Sequence, residues 1–362
     1  MPVTIDDLRR FAIARTLPQA TTLGSALRRF GFVQADPIRA PARAQDLVLR
    51  LRVDGYRAGD LERRYRALGI EEDVFINYGF VTRSVQMLMH PRRVEAGWTR
   101  ARRRRAEELL AFVRAHGEVH PRQVNDHFAH GTVTNYWGGS SSATTHLLDA
   151  MHYAGLLRVA RREGGIRIYA AREPSPGPAD AEARQARVDA LVDVLVGVYA
   201  PLPVRSLSEL VSRLRYASPQ WQRELKPALA RARSRLAHAR VDGIDWFWPS
   251  HQDPATYATD REARLLAPFD PIVWDRRRFE HLWGWAYRFE AYTPVRKRQL
   301  GYYALPLLWD DRIVGWGNLS VVAGNLQADF GYASGSPPAD REFAPALEDE
   351  LSRMRAFLGV VG

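Results

Sequence analysis

AEELLAFVRAHG (106–117), HPRQVNDHF (120–128), SSSATTHLLDAMHYAGLL (140–157) and LRVARREGGIRIYAA (157–171) follow one another closely, and their order decides how the chain is read. The first is apolar at helical spacing and stops at Gly117, the residue type that best takes the left-handed turn after a helix. The second carries Pro121 at its start, where a missing N–H costs nothing. In the third, Leu147, Leu148 and Met151 share an inward face, with Thr144, Thr145 and Asp149 outward. The fourth alternates apolar and polar residues around Gly164-Gly165 and reads as a β-hairpin. Helix, helix, helix, basic hairpin is the order of a winged helix, whose third helix enters the DNA major groove while the wing touches backbone. A small α/β packing module with no DNA contact would have the same pattern.

Upstream, Thr4 and Asp7 make an imperfect capping box for an amphipathic helix over 4–16, with Ile5, Leu8, Phe11 and Ala12 on one face. A second helix is expected from about Gln19 to Phe30, stopped by Gly31. FVQAD (32–36) is then a short extended piece ended by Pro37, and residues 45–52 and 60–68 read as helical. RRVEAGWTRARRRRAEE (92–108) carries Arg102 to Arg105, a solvated helix face or one set against phosphates.

Downstream, PSPGPAD (174–180) is a linker by composition. Residues 182–250 repeat the helical plan more loosely and end in the hairpin VDGIDWFWP (241–249). From Arg264 the texture turns to alternating aromatics, as in LGYYALPLLWDDRIVGWGNLSVV (300–322), which suggests an antiparallel barrel or sheet. A last helix is expected over 339–358.

Composition narrows the function. At 362 residues and 46% hydrophobic, the chain is globular and long enough for two or more domains. It has no apolar run of membrane-spanning length, and MPVTIDDLRRFAIARTL, with charges scattered through it, does not read as a secretion signal. Cysteine is absent, which removes disulfides, thiolate nucleophiles and cysteine-bound metal, and points to the cytoplasm. A net charge of +11 points to a polyanionic partner, with a solvated basic surface as the plain alternative.

The chemistry sits in GFVQADPIRAPARA (31–44). In an extended segment, residues i and i+2 face the same way, so Gln34 and Asp36 can reach one ligand. An amide that orients water beside an anion that polarises it is a minimal hydrolytic pair. A turn-capping carboxylate before Pro37 is the plain alternative. The only lysines are Lys226 and Lys297, neither near the motif in sequence, so a Schiff-base route is not expected.

LRRFGFVQADPIRAPARAQDLVLRLRV (27–53), LLRVARREGGIRIYAA (156–171) and LLAPFDPIVWDRRRFEHLWGWAYRFEAYTPVRKRQLGYYALPLL (265–308) together resemble the YcaQ/AlkZ-type DNA glycosylases, which excise alkylated and cross-linked bases. The resemblance implies an α+β fold of tandem winged-helix domains forming a concave surface, followed by a C-terminal antiparallel β-rich domain with a terminal helix. The expected boundaries are 1–105 for an N-terminal winged-helix-like domain carrying the motif, 106–173 for a winged helix, 182–250 for a third such domain and 260–362 for the β-rich domain. The family's motif is Gln, any residue, then Gln or Asp, so Gln34-Ala35-Asp36 falls on the YcaQ-like side, associated with N-alkylpurines and interstrand cross-links. The side with a second Gln is associated with self-resistance to a genotoxic natural product. One departure is FINYGF (75–80), where the family shows a pattern like EYWAH.

On this reading the enzyme is a monofunctional glycosylase in base excision repair, with Gln34 and Asp36 as the catalytic pair. Arg39, Arg43, Arg161, Arg162, Lys297 and Arg298 are the candidate DNA contacts. No metal or cofactor is expected. The partner is double-stranded DNA carrying alkylated or cross-linked purines, and the protein is expected to be a monomer in the cytoplasm, associated with the nucleoid. The rival is a non-catalytic winged-helix DNA-binding protein, regulatory or architectural. Other patterns carry less. His116, His120, His127 and His130 straddle a turn. Asp270 and Asp275 beside prolines read as turn caps, and Trp283 and Trp285 as core. Gly138-Gly139-Ser140 lacks a nucleophile elbow, and Gly315-Trp316-Gly317 opens no helix.

Overall fold

The computed structural model describes residues 2–17, 21–92, 94–128, 131–134 and 140–360. His130, Gly138 and Gly139 lie outside them. The chain forms two compact units, one of Met1–Leu61, Val192–Val211 and Leu229–Gly362, the other of Glu62–Leu191 and Ser212–Ala228.

The first unit opens with the helix Ile5–Thr16, whose capping box is complete: Asp7 N–H donates to the Thr4 hydroxyl and Thr4 N–H to the Asp7 carboxylate. The second helix begins at Leu23, capped by Thr22, and Gly31 ends it at φ 66°. The buried strand Phe32–Gln34 follows, then the helix Ala44–Leu49, buried along its whole length. Four antiparallel strands (Ala263–Leu265, Leu305–Trp309, Arg312–Val322, Asn325–Tyr332) pair in sequence order, and the terminal helix runs Phe343–Leu358. Gly315 and Gly331 belong to this sheet and are held to glycine by crowding; a Cβ on Gly315 would meet the Gly331 carbonyl oxygen at 2.1 Å. Leu266, Ile272, Phe279, Tyr287 and Leu308 pack with Ile13 and Leu17 as core, with Trp283 and Trp285 against it. Asp270 is fully buried and takes both ends of the Arg52 guanidinium, at 2.7 and 2.9 Å, while Asp275 caps the helix Arg276–Trp283.

In the second unit the helices Arg100–His116, Pro121–Phe128 and Ala143–Ala154 precede the antiparallel hairpin Leu157–Glu163/Ile166–Ala171, to which Glu118–Val119 adds a third strand. Leu109, Val113, Val124, Leu147, Leu148, Met151 and Val159 form its core. Arg102 to Arg105 are on the exposed face of the first helix. Thr144, expected outward, is fully buried, because the helix turns that residue toward the core along with Leu148 and Met151. FINYGF bridges the strands Ile70–Val74 and Tyr78–Thr82, and its Phe75, Ile76 and Phe80 are buried.

Later in the chain, the helix Ala181–Tyr199, the strand Leu202–Pro203, the helices Val204–Ala217 and Leu225–Arg235 and the hairpin Ala237–Val241/Ile244–Trp248 follow the order seen over 100–171, apart from the short antiparallel pair Thr132–Thr134/Ser140–Ser142 that stands there between the second and third helices. Asp242 and Gly243 both take positive φ, as a two-residue hairpin turn requires. The chain passes between the two units within these helices.

Candidate active site

Gln34 ends a strand whose three residues are all buried, and is itself 9% exposed. Its Oε1 accepts the Trp274 indole N–H at 2.7 Å. Because an indole can only donate, this bond fixes which end of the amide is oxygen. Trp274 comes from the loop before the helix Arg276–Trp283, 240 residues along the chain, and its ring packs on Tyr199 at 5.5 Å.

Asp36 stands just past the strand end and is half-buried. Its Oδ1 accepts the Ile38 N–H at 2.9 Å, an Asx turn set up by Pro37. The turn-capping role read from sequence is therefore real, and it occupies one oxygen of the two. Burial raises the Asp36 pKa above the ordinary aspartate value, and the Ile38 N–H offsets only part of that. Burial thus leaves this carboxylate poorly solvated, which suits it to meeting a cation or taking a proton from water.

Beyond the turn, Arg39, Pro41, Tyr302, Tyr303, Asn318 and Val321 line a cavity of about 460 Å³, within the range of ligand pockets. Tyr303 is 3% exposed, and its hydroxyl has no hydrogen-bond partner among the described residues. Burial raises its pKa, and so does the Asp36 charge, so the hydroxyl stays protonated; exposed Tyr292 responds to the same two causes.

Arg39 is exposed, and its backbone pairs with that of Arg43 across the Ala40-Pro41 turn. Lys297 is exposed in the short turn Val295–Lys297. Arg298 donates to the Thr293 carbonyl at 2.9 Å and lies over the Tyr302 ring. These residues, with Gln34 and Asp36, belong to the first unit.

Arg161 and Arg162 belong to the second unit, on the hairpin. Arg162 makes a two-pronged pair with buried Glu72, at 2.8 and 2.7 Å, so it is a structural cation before it is anything else. Arg161 is shared between Glu118 at 3.1 Å and Glu163 at 2.7 Å on the surface. The histidines are also spoken for locally. His116 bonds the Phe112 carbonyl, His120 accepts from Arg122 N–H, and His127 packs on Phe112. Among the described residues no three His, Cys, Asp or Glu side chains converge as a metal site.

Two parts of the site were not legible in sequence. Trp274 lies inside PFDPIVWDRR without any local pattern to mark it as the partner of Gln34. Tyr303 shows only as one of many aromatics.

The sequence profile described as DNA glycosylase AlkZ-like matches residues 27–357. The chain belongs to the AlkZ-like DNA glycosylase family. Its fold is similar to that of Streptomyces sahachiroi DNA glycosylase AlkZ, with a TM-score of 0.65 and 16% identity over 99% of this chain and 98% of that one. This AlkZ-like protein is thus a DNA glycosylase, an enzyme of DNA repair, and the non-catalytic reading is set aside. Among the described residues no helix is long and apolar enough to cross a membrane.

Proposed function

We propose that this AlkZ-like enzyme hydrolyses the N-glycosidic bond of N7- and N3-alkylated purines in duplex DNA, including purines held in interstrand cross-links, with Asp36 and Gln34 as the catalytic pair. The observation that carries this reading is the half-buried Asp36 carboxylate, one oxygen held by Ile38 N–H, two residues from an amide oriented by Trp274.

An alkylated purine is already cationic, so it departs as a neutral base with little help from an acid. As the C1′–N bond breaks, positive charge moves to the deoxyribose. The open oxygen of Asp36 stabilises that charge. Water then adds to C1′ and gives its proton to Asp36, while the Gln34 amide dipole orients the water. The reaction closes with a free base and an abasic sugar.

Residues 106–173 and 182–250 are read as winged helices because each has a helix, a strand, two further helices and a closing hairpin, the first with a short strand pair between its last two helices; with 1–105 and 260–362 they make the four proposed domains. Arg39, Arg43, Lys297 and Arg298 are proposed to hold phosphates near the lesion. Arg161 contributes only if it exchanges a carboxylate for phosphate. The enzyme acts as a monomer on DNA in the cytoplasm.

The test is to incubate the protein with randomly methylated DNA and identify the liberated bases by mass spectrometry. Release of N7-methylguanine and N3-methyladenine is expected, and Asp36→Ala should abolish it while leaving DNA affinity within about twofold. Equal loss of binding and release in that variant would sink the assignment.

A further inference from the structure

The first unit has five large apolar side chains exposed among its described residues: Tyr292, Val295, Tyr302, Val321 and Val322. Single exposed apolar residues mean little, but these are confined to two segments, and Tyr302 and Val321 line the cavity beside the Asp36 turn. Tyr292 and Val295 are each 73% exposed. Both lie in one loop, TPVRKRQLGYY and the two residues before it, which also carries Arg296, Lys297 and Arg298 in succession.

This loop is fixed at its base. Buried Glu290 accepts the backbone N–H groups of Gln299, Leu300 and Gly301, at 2.7 to 3.2 Å. Asn318 donates to the Leu300 carbonyl at 2.8 Å, and packs so closely over Gly301 (φ 123°) that a Cβ there would sit 2.2 Å from its Oδ1. Thr293 N–H donates to the Glu290 carbonyl at 2.9 Å, closing the other side. At the tip, Lys297 N–H donates to the Pro294 carbonyl at 2.8 Å and Tyr292 meets the Phe289 ring edge-on at 6.0 Å, but Arg296 and Lys297 make no side-chain ion pair among the described residues. A clamped base and an uncovered tip bearing an aromatic ring and adjoining cations present a pre-organised surface to a partner that is apolar inside and anionic outside. A base-pair stack between phosphate strands is such a partner. An acidic peptide would satisfy the cations but leave the ring without a stack.

We propose that the 291–298 loop is the insertion element of this enzyme: Tyr292 enters the base stack and fills the space left when a nucleotide is extruded toward Asp36, while Arg296 and Lys297 hold the flanking phosphates. Enzymes that act on a base must take it out of the duplex, and side chains wedged between base steps unstack them. The Asp36 charge felt by the Tyr292 hydroxyl agrees with their being neighbours in this arrangement. The inference rests on the glycosylase acting on duplex DNA.

The experiment compares full-length wild type, Tyr292→Ala and Tyr292→Trp. Single-turnover release of N7-methylguanine is measured from a duplex and from the same strand alone, and 2-aminopurine beside the lesion reports unstacking. For Tyr292→Ala the expected result is a loss of about 10- to 100-fold on the duplex, as follows from losing one stacking partner, with less than about twofold on the single strand and a flat 2-aminopurine signal. Tyr292→Trp should restore both readouts. Equal slowing on both substrates, or a wild-type signal, overturns the proposal. So does loss of the signal with Val322→Ser in place of Tyr292→Ala, which would move insertion to the tip of the Arg312–Val322/Asn325–Tyr332 hairpin. If wild type releases no base from either strand, the substrate reading fails, and the 2-aminopurine signal still decides the role of Tyr292.

Discussion

Replacing Trp274 by phenylalanine keeps an aromatic ring but removes the indole N–H that holds Gln34 Oε1, which makes it a sharp probe of how the amide of Gln34 is used. A phenyl ring still packs on Tyr199, but the N–H that meets Gln34 Oε1 at 2.7 Å is gone. Gln34 is 9% exposed, so water replaces that donor poorly. A buried acceptor left without its donor costs about 1–3 kcal/mol. In a unit of this size each kcal/mol lowers Tm by about 2–4 °C, so a fall of a few degrees is expected. The larger consequence is for catalysis. If about 1.4 kcal/mol of the lost bond was holding the amide in its working orientation, release of alkylated base slows about tenfold. Single-turnover release at saturating enzyme isolates that step from DNA binding, and a gel shift checks that affinity is unchanged. A variant with reduced Tm and an undiminished rate would refute the reasoning, because the orientation of Gln34 would then be irrelevant to chemistry.

Asp36→Asn should abolish release without lowering Tm. Burial raises this pKa in the fold, so the native state favours the protonated carboxyl: the stability this gives is full below the unfolded value and is lost as pH rises through the folded one. Wherever the group is ionised it is thus a burden that asparagine relieves. By the same sign, wild-type activity should fall on acidification with an apparent pKa above the 3.8 of ordinary aspartate, read from a rate profile. Arg162→Ala breaks the pair with buried Glu72 and should cost about 3–5 kcal/mol in a denaturant melt, whereas Arg161→Ala should leave the melt unchanged and show any effect only in the salt dependence of DNA binding. Tyr303→Phe removes a buried hydroxyl that has no partner among the described residues, so Tm should hold or rise; a fall would mean that the hydroxyl is bonded in solution.

Much of the fold is legible because its determinants are local. Gly117 and Pro121 bound their helices as expected, and Gly164-Gly165 turns the hairpin, since each of these residues imposes its own backbone geometry. Expectations failed where a distant contact decides. The stretch 60–68 is only a four-residue helix and a 3-10 turn, and Thr144 is buried by a helix face that its polarity does not reveal. The same holds for the site. Gln34 and Asp36 are two residues apart and stand out in the sequence, but the indole that orients one comes from position 274. The carboxylate that occupies Arg162 lies 90 residues upstream, invisible to any reading of the wing alone.

The Asx turn at Asp36 has a further effect on what this position tolerates. A side chain whose near oxygen closes a ring with the Ile38 amide has a length set by that ring, and its far oxygen is carried to a place fixed by backbone rather than by neighbours. Glutamate would keep the charge but break the ring, leaving its carboxylate to swing. Aim and anion are thus joined in one short side chain, and the second cannot be transplanted without the first.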